Sequence, residues 1–216
     1  MNFEFLVEDA SGGTLLALLV PKILGPDRMA HSWRIHSYRG LGRIPKNLKA
    51  QADPAKRKLL HRLPDILAGY DNVPGYDFII VVMDADARDC AAMLAGLLAI
   101  KKEKAWRTRV MFRLAIEEME AWYLGDQPAI KSAYPQAKLK PLASYQQDSV
   151  CGTWETLLDV THQKSAQAIR KSGWMAAGKI KQEWAACIGP WMDIETNLSA
   201  SFCKFRDGLR RMSGAA

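Results

Sequence analysis

An α/β fold is what this sequence predicts: a mostly parallel sheet flanked by helices, with a helical C-terminal part. Three observations carry that expectation. Phe78 to Met83 is an unbroken apolar run rich in isoleucine and valine, which reads as a strand buried on both faces, as in parallel sheets covered by helices. Strand-like and helix-like segments alternate up to about residue 126, the pattern of an open α/β sheet. After Gly125-Asp126 the pattern changes to helices separated by proline and glycine, without a repeat or a low-complexity linker. The chain is therefore divided into an α/β domain over 1–126 and a helical extension over 127–216 packed on it.

Phe3 to Glu8 alternates and begins the fold as a short strand. Ser11-Gly12-Gly13 offers a turn and helix start that could cradle an anion or simply cap the helix. The apolar stretch Thr14 to Leu24 follows, kinked at Pro21 and ended by Gly25-Pro26. Ser32 to Tyr38 reads as a second strand leading into the loop Arg39-Gly40-Leu41-Gly42-Arg43. Pro54 to Leu67 suits a helix with proline in its first turn, shortened by Pro64. Pro74-Gly75 turns the chain into the buried strand at Phe78. Asp89 to Lys104 carries an alanine- and leucine-rich helical face, and Arg109 to Leu114 is a further strand.

At 216 residues the chain suits one domain with a modest appendage, and its 49% hydrophobic content is ample for a core. The apolar stretch Leu15 to Leu24 is interrupted by Pro21 and Lys22 and is too short to span a bilayer. Glu4, Glu8 and Asp9 stand where a signal peptide would be basic. Cys90, Cys151, Cys187 and Cys203 are scattered without a C-x-x-C pair, which argues against zinc and a disulfide framework and for a reducing cytoplasm. No G-x-x-x-x-G-K-[ST], H-E-x-x-H or G-x-S-x-G occurs. The net charge is +7, and from Arg34 to Arg62 nine basic residues face the single acid Asp53. That run serves equally as a phosphate-binding surface or as a solvated face. From Gln127 onward twelve Lys or Arg stand against seven Asp or Glu, so a polyanionic partner is favoured. Trp154, Trp174, Trp184 and Trp191 read as packing anchors rather than base-stacking platforms.

Asp84 and Asp86 follow the buried strand directly. In open parallel sheets the working groups gather beyond the carboxyl ends of the strands, and side chains two apart on an extended segment point the same way. Two such carboxylates repel unless a cation or a shared proton neutralises them, and magnesium prefers oxygen ligands. Glu8 closes the first strand. If the two strands are neighbours, about 4.8 Å apart, their terminal carboxylates could share one or two ions. A third cluster, Glu117-Glu118-Met119-Glu120, follows the Arg109 to Leu114 strand.

Glu8 after an N-terminal strand, with Asp84-x-Asp86 after a buried one, resembles the Toprim domain of topoisomerases, primases and OLD-type nucleases. More closely, the chain is similar to the domain of unknown function 4276 family, whose members resemble Toprim. The matching stretches are Leu6 to Ser11, Tyr38 to Gly42, Val82 to Asp86, Glu118 to Asp126 and Asn197 to Phe202. The resemblance implies a Toprim-like, Rossmann-like fold with Glu8, Asp84 and Asp86 as metal ligands. It makes Glu118 and Glu120 candidates to complete or orient the site. Family members resemble proteins encoded beside ABC-type or SMC-like ATPases in bacterial anti-phage defence. Toprim nucleases usually follow the first Glu with Gly and place an acid about four residues on, where this chain has Asp9 and Gly12.

The function expected is a Mg2+- or Mn2+-dependent nuclease or phosphodiesterase acting on DNA or RNA. Asp84 and Asp86 would hold the metal, Glu8 would act as general base or ligand, and Glu120 would support the site. Arg39, Arg43 and Lys46 would clamp the phosphate backbone, with Lys179 and Lys181 as weaker candidates. The alternative is a Toprim-shaped subunit that docks on the ATPase without cutting, which the altered residues after Glu8 favour. Nucleotidyl transfer, as in primases, needs the same metal site. An assembly with further copies of the chain stays open.

Overall fold

The computed structural model describes residues 1–43, 58–150 and 152–214. Its centre is a four-stranded, all-parallel sheet in the order β2-β1-β3-β4. The strands are β1 (Asn2–Val7), β2 (Ser32–Ser37), β3 (Phe78–Asp84) and β4 (Arg109–Ala115). Helix α1 (Ala10–Leu24) links β1 to β2, α2 (Leu59–Asn72) precedes β3, and α3 (Cys90–Lys102) links β3 to β4. The α/β expectation therefore holds. Lys46, with the rest of residues 44–57 and the start of the helix expected at Pro54, lies outside the described residues.

Alternation along the strands assigns each side chain to a face. Phe3, Phe5, Val7, Phe78, Ile80 and Val82 join the core that contains α1, whereas Leu6, Ile79, Val81 and Met83 join the core under α2 and α3. The sheet is thus covered on both sides, which explains why β3 is apolar at every position to Met83. Chain order reverses at β1: α1 carries the chain to β2 on one side, and the next connection returns it to β3 on the other. The crevice beyond the carboxyl ends of β1 and β3 is therefore a topological switch point, where open α/β sheets place ligands.

Local signals account for the helix boundaries. Asp9 caps α1 by accepting from the Gly12 amide at 2.7 Å and from the Ser11 hydroxyl, so Ser11-Gly12-Gly13 lies within the first helical turn rather than forming an anion cradle. Asp89 caps α3 in the same way through the Ala92 amide. Pro64 does not shorten α2, which runs on to Asn72. Its stripe of Leu59, Leu60, Leu63 and Leu67 is buried against the sheet, and that burial offsets the lost backbone bond.

Beyond β4 come α4 (Glu120–Leu124), α5 (Gln127–Ala133), α6 (Thr153–Thr161), α7 (Ala166–Lys171), α8 (Trp174–Ile188) and α9 (Ala200–Ser213). Trp122, Trp184, Phe202 and Phe205 are fully buried and share the α1-side core with β1 and β3. Trp154 is partly buried against that core, while Trp174 and Trp191 are exposed, contrary to the expectation that all four tryptophans anchor packing. The segment around α4 is locked to the start of α9. The Asn197 side chain donates to the Trp122 carbonyl, the Trp122 indole donates to Ser201 Oγ, and the Leu198 amide donates to the Gly125 carbonyl. Gly125 is obligatory at this crossing, because a Cβ there would lie 2.4 Å from Asn197 Oδ1 and 2.7 Å from the Ser199 nitrogen. Gly125→Ala should accordingly cost about 1–3 kcal/mol, read as a lower midpoint in denaturant unfolding; an unchanged midpoint would contradict this packing.

Candidate metal centre

Three acids converge at the carboxyl edge of the sheet. Asp84 ends β3, and Glu118 and Glu120 lie in the turn and first residue that carry the chain from β4 into α4; one carboxylate oxygen from each lies within 4.8 Å of the others. Asp84 follows the parity of Ile80 and Val82 and so projects onto the α1 side of the sheet. Its Oδ1 accepts from the Met119 amide at 2.9 Å, which ties the end of β3 to the turn holding Glu118 and Glu120. Glu120 is only 3% exposed. Oxygen donors at this spacing suit a hard divalent cation, so the cluster could hold a metal ion.

A positive charge of the chain's own also faces these acids. Lys181 Nζ, from the middle of α8, lies 2.9 Å from Glu118 Oε1 and 3.3 Å from Glu120 Oε2. Burial pushes Asp84 well above the ordinary carboxylate range, with Lys181 opposing and the neighbouring acids adding to the rise. Burial also lifts Glu120 to about 7 against the pull of Lys181. Burial by itself would lower Lys181, but Glu120, Asp84 and Glu118 more than reverse that and raise it. Lys181, a weaker candidate for contacting nucleic acid, is paired with the acid cluster. Lys179 is exposed on the same helix.

Glu8 and Asp86 lie apart from that cluster. Glu8 follows the parity of Leu6 and faces α2; it accepts from the Leu41 amide at 3.1 Å and the Asp84 amide at 3.4 Å. The shared direction expected for Asp84 and Asp86 fails because β3 ends at Asp84 and Asp86 adopts a left-handed conformation with φ 50°. Asp86 instead pairs with Arg88 at 2.7 Å, both half-exposed. Burial foremost, then the Asp86 charge, raises Glu8 to about 7. Its backbone bond to Asp84 nevertheless leaves Glu8 at the seam between the two groups.

Glu8 and Asp86 line a cavity of about 600 Å³ whose other walls include Arg43, Lys58, His61 and Arg88. The Gly40 and Gly42 corners, at φ 91° and 82°, fold the loop over it. Of the two arginines expected to clamp phosphate, Arg43 lines this cavity, while Arg39 is exposed and not among the lining residues. Lys58, His61 and Arg88 were not singled out from the sequence; only the density of basic residues around Lys58 hinted at them. Glu117 takes a structural role, accepting from the Gly152 and Thr153 amides at the start of α6.

No protein-family model, curated protein or solved structure matches the chain. Among the described residues, no helix is long and apolar enough to cross a membrane.

Proposed function

We propose that the protein is a divalent-cation-dependent phosphodiesterase acting on nucleic acid, with Mg2+ or Mn2+ held by Asp84, Glu118 and Glu120. The observation that carries this reading is the convergence of three carboxylate oxygens, from the end of β3 and the segment after β4, at the carboxyl edge of the parallel sheet. A bound divalent ion supplies Lewis-acid stabilisation of charge on a scissile phosphate. Arg43, Lys58 and Arg88 line the adjoining cavity and would hold the flanking phosphate groups by charge. Glu8, raised to about 7 at the seam, is poised to accept a proton from water near neutral pH. Asp86 balances Arg88 and keeps one wall of the cavity from becoming wholly cationic. The resemblance to Toprim proteins and to the domain of unknown function 4276 family agrees with this chemistry. It also supports an ABC- or SMC-like ATPase as partner in anti-phage defence, while the scattered cysteines favour a cytoplasmic setting.

The experiment is cleavage of single- and double-stranded DNA and of RNA with Mg2+ or Mn2+, comparing the native chain with Asp84→Asn. Metal-dependent cleavage reduced at least 100-fold in the variant, within the range of a lost catalytic group, is the expected result. Equal behaviour of the two proteins on every substrate removes the catalytic claim. The Lys181 ion pair favours a second reading, a docking subunit whose acid cluster is neutralised from within. Calorimetric titration with Mg2+ separates the two, since a docking subunit has no need to take up the ion.

A further inference from the structure

The open edge of the sheet lies far along the chain from Glu8 and does not involve the acid cluster. Among the described residues, strand β4 pairs with β3 alone and ends the sheet. The Arg109 amide donates to the Asp77 carbonyl, and the Ala115 carbonyl accepts from the Ala85 amide. Odd-numbered positions therefore bond toward β3, and the backbone groups of Val110, Phe112 and Leu114 point outward. Two of those carbonyls accept from long side chains: Lys101 Nζ donates to Val110 O and Arg113 Nη1 to Phe112 O, each at 2.9 Å. Flexible cations are a common guard on an exposed edge, and they can be exchanged for another strand's amides.

Beside this edge lie two adjoining cavities of about 580 and 380 Å³, which share Leu94, Phe112, Arg113 and Arg211. Helix α3 forms one wall and α9 the other. Small residues, Ala91 and Ala200, leave room for side chains in the larger cavity, whereas the space beside Gly208 is filled by the Arg113 guanidinium and the Met111 sulfur. The trough formed by the two cavities runs beside the seven residues of β4, about 23 Å of strand. Its charge is one-sided. Lys101, Arg109, Arg113, Lys204 and Arg211 line it, and the one acid among the described lining residues is Asp148. The Asp148 carboxylate is already engaged by the Ser199 hydroxyl and the Ser201 amide, both at 2.7 Å.

We infer that the β4 edge is a docking site for an extended acidic segment of a partner protein, which adds to the sheet as a fifth strand. The new main-chain bonds would go to Val110, Phe112 and Leu114. Alternate apolar side chains would fill the trough beside Leu94 and Phe112, and acidic ones would meet Lys204 and Arg211. Charge complementarity selects an acidic occupant over a second copy of this basic chain, whose strands would bring like charges together.

The test is fluorescence anisotropy with a short labelled peptide alternating glutamate and valine. Its control has the same charge but carries proline at alternate positions, which removes the amides needed for strand pairing. Saturable binding by the first peptide is expected, at least tenfold weaker for the control. The double variant Lys204→Glu, Arg211→Glu, altered only at exposed positions, should weaken binding of the first peptide at least tenfold as well. Equal binding of the two peptides overturns strand addition, and an unchanged affinity in the double variant overturns this location. A single-stranded oligonucleotide that binds the native chain, is lost in the double variant and excludes the peptide would make the trough a nucleic-acid surface and contradict the inference. Nucleolytic activity plays no part in any of these readouts.

Discussion

Lys181→Met is expected to destabilise the metal-free protein by about 3–5 kcal/mol, the usual result of removing one partner from a buried ion pair. The Lys181 side chain is only 17% exposed and is the ammonium closest to Glu118 and Glu120. Without it the acids face Asp84 and lose the Lys181 charge that opposes their rise. The loss should be larger at pH 8 than at pH 5. Glu120 is raised to about 7 chiefly by burial, and at low pH it can take up a proton instead. Mn2+ should restore much of the lost stability, and the variant should bind the ion at least tenfold more tightly than the native chain, because ammonium and metal compete for the same oxygens. Denaturant titrations at both pH values, with and without Mn2+, check this directly. A variant as stable as the native chain, with unchanged metal response, would mean that Lys181 is not the counter-ion of the cluster.

Glu8→Gln should change how stability and cleavage depend on pH. Glu8 rises from 4.5 to about 7, first through burial and then through the Asp86 charge. A carboxyl raised in the folded state favours folding in its protonated form. Its contribution is therefore complete below pH 4.5 and is lost as pH climbs through about 7. The native chain should lose about 3 kcal/mol from this group across that window, a loss the glutamine variant does not show. Glutamine places an amide against one of the two backbone donors that Glu8 accepts from, a cost of about 1 kcal/mol that does not vary with pH. Cleavage should respond in the opposite sense, rising with pH to a plateau above about 7 as the base becomes free. The variant should lose that limb together with 10²–10⁴-fold in rate. Parallel pH profiles of stability for the two proteins would remove Glu8 from this account.

The fold was legible in the sequence because its signals are local. A strand covered on both faces must be apolar at every position, and Phe78 to Met83 is. The helix read from Asp89 does begin at that residue, which caps it, whereas the start read at Ser11-Gly12-Gly13 lies two residues earlier, at the Asp9 cap. The site was legible only in part. Glu8, Asp84, Glu118 and Glu120 could be placed near the carboxyl edge because each follows a strand. Their division between two faces depends on where β3 stops, and the left-handed turn at Asp86 that reverses its side chain has no signature in Asp-Ala-Asp. Lys181 lies 61 residues from Glu120 in sequence, and nothing in α8 distinguishes it from the exposed Lys179. Charge patterning marked the basic run but could not choose Lys58 and Arg88 as cavity walls over Arg39. Long-range pairing decides these matters, and composition does not carry it.

Diffraction from crystals soaked in Mn2+, with data collected at the manganese absorption edge, tests the central claim most directly. An anomalous peak bounded by Asp84, Glu118 and Glu120, with the Lys181 ammonium withdrawn from Glu118, is the predicted result. Soaked crystals with no peak at these carboxylates, and Lys181 still bridging Glu118 and Glu120, would contradict it.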